Sequence, residues 1–428
     1  MKKAAMHLCA LLRNLLFIGF SIQIALGLLW LCFNFMEVQA FGPAEGFLYP
    51  ILVRMLGRVP QVLYLLQLFA AGAAGYYLLK PVVSSGLFWR IWSVLAFLTF
   101  PMALQCHLAL LPYSFISSLI LLEICFCRNL FRQRQGRPVR ELAWAGACWV
   151  ALSLFKPEYV WLGAIPLGLT VLASVPALSR SRRQLAFCLL LLAAFGGIAT
   201  GLRSLTAERV KEEQRPFWFA MASRTAWPSL WEDQSQWSEE LHALLDNVVW
   251  DTAVSPDNME RILKPAIEDE VGVEQAQEYY RELSEIGWRR HKSQILKQMA
   301  WDVLTYGTPE AVLQLQLSGR AYDSCSGRNY EIMFMHHPLL TKYYVDYSCW
   351  WFFVAVGSAA LTAVAGCTAG ARRVSLPKAV FLAVNVAAMG GIVLYYTLQG
   401  AGIADYKLTV AAAQLWILFA LWGMGKEL

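Results

Sequence analysis

Ten blocks of apolar residues, most of them near twenty residues long, punctuate this sequence at 12–34, 60–79, 88–104, 106–126, 142–156, 158–177, 185–203, 348–370, 379–399 and 407–424. The hydrocarbon core of a bilayer takes about 20 apolar residues per helical crossing. Inside lipid every backbone N–H and C=O must find a partner within the segment, which leaves α-helix as the form for isolated runs of this kind. The expected fold class is therefore all-α: a polytopic membrane protein of about ten transmembrane helices. The blocks at 88–104 and 142–156 are short. Tilting accommodates them, or the pair 142–177 forms a hairpin broken at Lys156-Pro157-Glu158. Composition agrees, with 57% of the 428 residues hydrophobic, 15% charged and a mean hydropathy of +0.45. Soluble domains carry about 25% charged residues.

Basic residues give the blocks a direction. Lys2, Lys3 and Arg13 precede the first block; Lys80 and Arg90 follow the second. Arg128, Arg132, Arg134, Arg137 and Arg140 follow the fourth, Arg180, Arg182 and Arg183 the sixth, and Arg372, Arg373 and Lys378 the eighth, with Lys426 at the end. The alternate connections hold only Arg54, Arg58, Lys156 and Lys407 in their short loops. Short cytoplasmic loops are enriched in Lys and Arg, so both termini are expected in the cytoplasm. The run 128–140 reads as a topology determinant facing anionic lipid, not as a nucleic-acid site. The first apolar run is too long for a signal-peptide core and has no small-x-small cleavage site after it, so it reads as an uncleaved span.

Three regions follow: a membrane domain over 1–203 with seven spans, an extracytoplasmic and mostly helical segment over 204–347, and a membrane domain over 348–428 with three spans. The middle segment carries charge of both signs and amphipathic stretches at Trp237–Trp250 and Val273–Tyr306, with Ile286, Ile295, Met299 and Val303 recurring at helical spacing. Short helices on or near the membrane are expected there. Trp218, Trp227, Trp231, Trp237, Trp250, Trp288 and Trp301 fit the interfacial preference of indole. Most of the ten cysteines fall in or beside apolar runs and read as small hydrophobes. Cys325 and Cys349 fall on the outer side, as a disulfide or as two free thiols.

No P-loop, GxGxxG, HExxH, GxSxG or zinc spacing is present, which removes the familiar soluble-enzyme classes. What remains is a set of polar groups at the outer boundary. Glu37 and Glu45 lie in the loop after the first span. They read either as solvated loop carboxylates or as partly desolvated ones suited to base chemistry. Lys156, in Lys156-Pro157-Glu158-Tyr159, and Lys407, in Asp405-Tyr406-Lys407, read either as phosphate ligands or as cations snorkelling to headgroups. His107 reads as a satisfied interfacial side chain. His336-His337-Pro338 has no matching ligand set, so no metal site is read from the sequence. Glu123 is the main ionisable residue within a span, close to its cytoplasmic end.

The order of these features resembles a known family. A first span is followed by an outer loop with an acid, then Tyr49-Pro50 and a re-entering helix with Gln61 and Gln67. A tight outer hairpin runs from Pro101 to Pro112-Tyr113-Ser114, Lys156-Pro157-Glu158 forms a basic-Pro-Glu turn, and a long outer segment precedes the last spans and Asp405-Tyr406-Lys407. This layout is similar to that of the GT-C superfamily of membrane glycosyltransferases, in particular bacterial relatives of the protein mannosyltransferase and aminoarabinose transferase group. The resemblance implies a multi-pass plasma-membrane enzyme of a bacterium that takes a sugar from a polyprenyl-phosphate donor, with no organic cofactor and the need for a metal left open, and passes it to an envelope acceptor: glycan, lipid or protein. Carried over by position, Glu37 is the base, with Glu45 as second candidate. Lys156 and Lys407 hold the phosphate, and Arg54, Arg58 and Tyr49 assist in binding. The family usually has Asp in the first loop and an Arg-Tyr pair in the last, where this chain has Glu37 and Tyr406-Lys407. The alternatives are a catalytically silent member acting in assembly and a transporter or flippase of lipid-linked intermediates.

Overall fold

The computed structural model describes residues 14–15, 18–19, 21–29, 47–56, 59–80, 86–99, 107, 112–132, 138–155, 160–178, 182–205, 217–246 and 259–305, with Leu339, Tyr343 and Tyr347. Every regular element among them is helical, as expected for an all-α chain. They fall into two compact units, one holding the described residues up to Leu205 together with Leu339, Tyr343 and Tyr347, the other those from Phe217 to Thr305.

The first unit contains α1 (21–29), α2 (Leu48–Leu56), α3 (Pro60–Leu79), α4 (Leu87–Leu98), α5 (Tyr113–Arg132), α6 (Pro138–Phe155), α7 (Val160–Leu178) and α8 (Arg182–Leu205). Two stretches of these helices, Gln61–Leu79 and Leu185–Leu202, are long and apolar enough to cross a membrane. Pro60 opens α3 at a position whose N–H has no helical partner to lose. The helix read over 106–126 instead occupies Tyr113–Arg132, because Pro112 sets its start and the run to Arg132 stays helical after the apolar block has ended.

Small residues let these helices approach closely. A β-carbon at Gly27 would strike Thr99, and one at Gly146 would strike the Phe195 ring. The α6–α7 pair is a hairpin of two helices, with Trp149 donating its indole N–H to the Val160 carbonyl at 2.7 Å. Trp92 donates to Ser21 Oγ at 3.3 Å, tying α4 to α1, and Tyr347 donates to the Gly19 carbonyl at 2.9 Å.

The second unit contains α9 (Phe217–Thr225), α10 (Ser229–Glu232), a 3-10 turn (Gln234–Gln236), α11 (Glu239–Asp246), α12 (Met259–Leu263) and α13 (Val273–Thr305). After α12 the helix passes through a π turn, Lys264–Glu268, into Asp269–Val271. Pro265 has no N–H to bond back four residues, and the chain takes up the slack with an Asp269 N–H to Lys264 O bond of i,i−5 type. Gly272, at φ 82°, then separates this stretch from α13 in a conformation that a side chain would strain.

Phe219, Leu241, Leu245, Leu263, Ile267, Tyr280 and Leu283 form the core. At Gly287 the backbone of α13 comes against the Thr225 carbonyl so closely that a β-carbon does not fit. Ser238 caps α11 by accepting the Leu241 N–H at 3.3 Å. A capping box would place Glu at 241; the acid comes instead from α13, where Glu282 accepts the Ser238 N–H (2.6 Å) and hydroxyl (2.9 Å). The expectation of interfacial tryptophans is altered here: Trp218, Trp227 and Trp237 pack on the core, and Trp288 is exposed. Trp231, Trp250 and Trp301 lie outside the described side chains.

Candidate functional site

Of the residues singled out for chemistry, Glu37, Glu45, Arg58, Lys156 and Lys407 lie outside the described residues, as do Cys325, Cys349, His336, His337 and the spans over 348–428. Tyr49 and Arg54 are described, both on α2, and they part company: Tyr49 is fully buried and Arg54 is exposed. The entry to α2 is set by one bond. Phe47 N–H donates to the Leu154 carbonyl at 3.0 Å, satisfying a carbonyl that the last turn of α6 leaves without a helical partner. This holds the end of the first loop against the residue two before Lys156 in sequence.

Phe115 and Phe155 stack with centroids 5.2 Å apart, so the start of α5 meets the end of α6. Beside the start of α5 is a buried polar cluster. His107 Nδ1 lies 2.7 Å from Ser114 Oγ, and Gln67 Nε2 donates a long bond of 3.4 Å to the His107 carbonyl. Ser117 and Ser118 both donate to the Ser114 carbonyl, at 3.1 and 2.6 Å. The histidine's second nitrogen, Nε2, is buried with no partner. If Ser114 donates to Nδ1, Nε2 carries the proton; if Nδ1–H donates, Nε2 is an open acceptor. Sequence reading took His107 for a fully satisfied side chain and missed Ser114 as its partner. The available signal was the spacing of Ser114, Ser117 and Ser118, which puts three hydroxyls on neighbouring faces of one helical turn.

The other end of α5 meets the end of α3. Arg128 donates to the carbonyls of Tyr77 (3.2 Å) and Leu78 (3.4 Å), placing a cation on the negative end of α3. Asn129 and Arg140 both donate to Glu141, at 3.3 Å and 2.8 Å. Arg128 is thus a buried helix cap, where the sequence suggested a residue facing lipid headgroups.

Between these ends stands Glu123. Because α5 runs from Tyr113 to Arg132, this residue falls at mid-helix and not near an end. It is buried, and its Oε1 has no hydrogen-bond partner. Its Oε2 faces Gly163 of α7, where a β-carbon would come within 2.8 Å. A larger residue at 163 would displace the carboxyl group.

The second unit has its own polar centre. α13 kinks at His291 (φ −116°, ψ 25°), where the ring reaches Asp233, with Nε2 2.7 Å from Oδ2. Glu232 lies 3.9 Å from Nδ1, and Arg290 lies 4.0 Å from Asp233 Oδ1. Burial pushes the Tyr280 phenol up from its usual range, and the Glu268 carboxylate beside it pushes the same way. Among the described residues no three His, Cys, Asp or Glu side chains are placed to hold a metal. No family model matches this sequence, and no curated protein or solved structure matches it.

Proposed function

We propose that this chain is a plasma-membrane glycosyltransferase of about ten spans that moves a sugar from a polyprenyl-phosphate carrier to an acceptor on the outer face. The support is the ordered layout of the sequence together with one contact, the Phe47 N–H bond to the Leu154 carbonyl. That bond ties the end of the loop bearing Glu37 and Glu45 to the helix that leads into Lys156. In the proposed reaction the Glu37 carboxylate takes the proton of the acceptor hydroxyl. The acceptor oxygen bonds to the anomeric carbon, and the bond from that carbon to the phosphate oxygen breaks. The phosphate leaves as an anion whose growing charge Lys156 and Lys407 stabilise, with Arg54 or Arg58 assisting. Tyr49, buried at the start of α2, anchors the loop.

The test is transfer from a polyprenyl-phosphate sugar by the full chain in a bilayer. Glu37→Gln is expected to lower the rate by about 10²–10⁴-fold, the usual contribution of a positioned base, with expression unchanged. Full activity in Glu37→Gln removes this residue from the mechanism.

A second reading, transport of a lipid-linked intermediate, is favoured by Glu123. A buried carboxyl with one oxygen lacking a hydrogen bond, in the middle of an apolar helix, marks ion and substrate pathways in membrane proteins more often than it serves packing. Movement of labelled lipid across proteoliposomes without sugar transfer separates the two readings. Absence of both activities favours the catalytically silent assembly role.

A further inference from the structure

Among the tryptophan side chains described in the 217–305 unit, Trp288 alone is exposed, at 39%. A single exposed apolar side chain is ordinary; its neighbours make this one informative. Lys292 holds Nζ 5.7 Å from the Trp288 ring centroid. Leu296, a turn further on, is 46% exposed, and Arg289 adjoins. Two turns back, Arg281 lies 5.6 Å from the Trp218 ring.

Residues 281, 285 and 288 line one face of α13 up to its break at His291; beyond the break Lys292 still reaches the Trp288 ring, and Leu296 follows Lys292 by one turn. The one acid among them, Glu285, is paired with Arg281 at 2.9 Å. Among the described residues neither Arg289 nor Lys292 has an acidic partner. α13 breaks at His291, so Arg289 stands in the last turn of the segment before the break, where the helix dipole also favours a cation, whereas Lys292 lies beyond it. Asp233 and Glu232 engage the other side of the helix, through Arg290 and His291.

We propose that this face of α13 docks on the surface of an anionic phospholipid bilayer. The Trp288 indole and Leu296 enter at headgroup level, while Arg289 and Lys292 pair with lipid phosphates. Indole combines an apolar body with an N–H donor and is favoured at this depth, and a lysine stem lies along apolar surface with its charge at the phosphate plane. The inference rests on the membrane reading above but not on sugar transfer.

The test uses the full chain in nanodiscs. A nitroxide is attached at Leu296→Cys and, in a second sample, at Gln294→Cys on the opposite side of the helix, with the unsubstituted chain labelled in parallel as background. Collision with oxygen, which partitions into lipid, is compared with collision with a water-soluble nickel chelate. In discs containing anionic phospholipid the label at 296 is expected in the oxygen-rich zone and the label at 294 in water. In zwitterionic discs, or with Arg289→Glu and Lys292→Glu together, the label at 296 is expected to return to water. Each lost basic residue is worth roughly a five-fold change in the docked-to-free ratio, so the double variant shifts it by roughly 25-fold or more. High salt acts in the same direction.

A chain that enters the discs but keeps the 296 label in water overturns the docking and leaves the membrane reading standing. A label closed to both probes also overturns it, since a protein surface would then cover the face. A chain that does not enter discs at all overturns the membrane reading and the docking with it.

Discussion

In the unit that holds α1 to α8, Phe69, Met55, Leu172 and Leu190 are among the most exposed side chains, while Glu123, His107, Gln23 and Arg128 are buried. In the unit from Phe217 to Thr305 the apolar groups converge on Tyr280, Ile267 and Leu241, and the surface of α13 is a row of Glu, Arg and Lys. The second pattern is the one water enforces, since apolar area removed from water is the main favourable term in folding. The first pattern leaves large apolar side chains on its outer face, which water does not favour. Where that face meets lipid, as the proposed function requires, the tails are as apolar as Leu, and cohesion then comes from close approach at small residues and from polar groups satisfied internally. Gly27 against Thr99, Gly146 against Phe195 and Arg128 on the α3 carbonyls are contacts of that kind. Both units are helical, and they differ in the solvent they suit.

The contrast can be broken where it is sharpest. Tyr280→Ala removes the hub of the water-type core and is expected to destabilise the 217–305 unit by about 3–5 kcal/mol, read by hydrogen exchange of that unit in the full chain. Tyr280→Phe is expected to cost less than about 1 kcal/mol, because the hydroxyl makes only long contacts, 3.5 Å to both the Leu263 carbonyl and Glu268. Equal losses in the two variants would mean that the hydroxyl, not the ring, holds this core.

Next comes Leu190→Arg on the outer face of α8. A charged side chain near the centre of a lipid-facing helix costs about 3 kcal/mol of insertion free energy, measurable by insertion-dependent glycosylation. Unchanged insertion would remove the claim that this face suits lipid.

Asp233→Ala leaves the buried side of His291 without its partner and is expected to cost about 1–3 kcal/mol, with faster exchange near the α13 kink. The smallest effect is expected at Val273, exposed at the start of α13. Val273→Ser should change stability by no more than about 0.5 kcal/mol, the usual result at a surface position outside any network. A larger loss there would show that the second unit also uses its outer face for burial.

The helical class was legible because the apolar runs carry it locally. The expected blocks at 60–79, 142–156, 158–177 and 185–203 each correspond to a helix within a few residues of the expected ends. The amphipathic stretch Val273–Tyr306 likewise corresponds to α13. Boundaries failed where a charged helical extension outlasted the apolar block, as in α5, which moved Glu123 from a helix end to its middle. The candidate site was legible only as types of residue along the chain. Trp237 gives no local sign that it turns inward while Trp288 stays out, since both sit in amphipathic stretches and the difference depends on which helices pack against each.

What the sequence by itself determined is helix and its approximate extent, because backbone satisfaction and side-chain period act over a few neighbouring residues. The pairings were decided only by tertiary structure: Phe47 with Leu154, His107 with Ser114, Ser238 with Glu282 and Asp233 with His291. Each of these joins a side chain or peptide group to a partner on another element. The free energy that selects among the available partners comes from packing of the whole unit, which no single window of sequence contains.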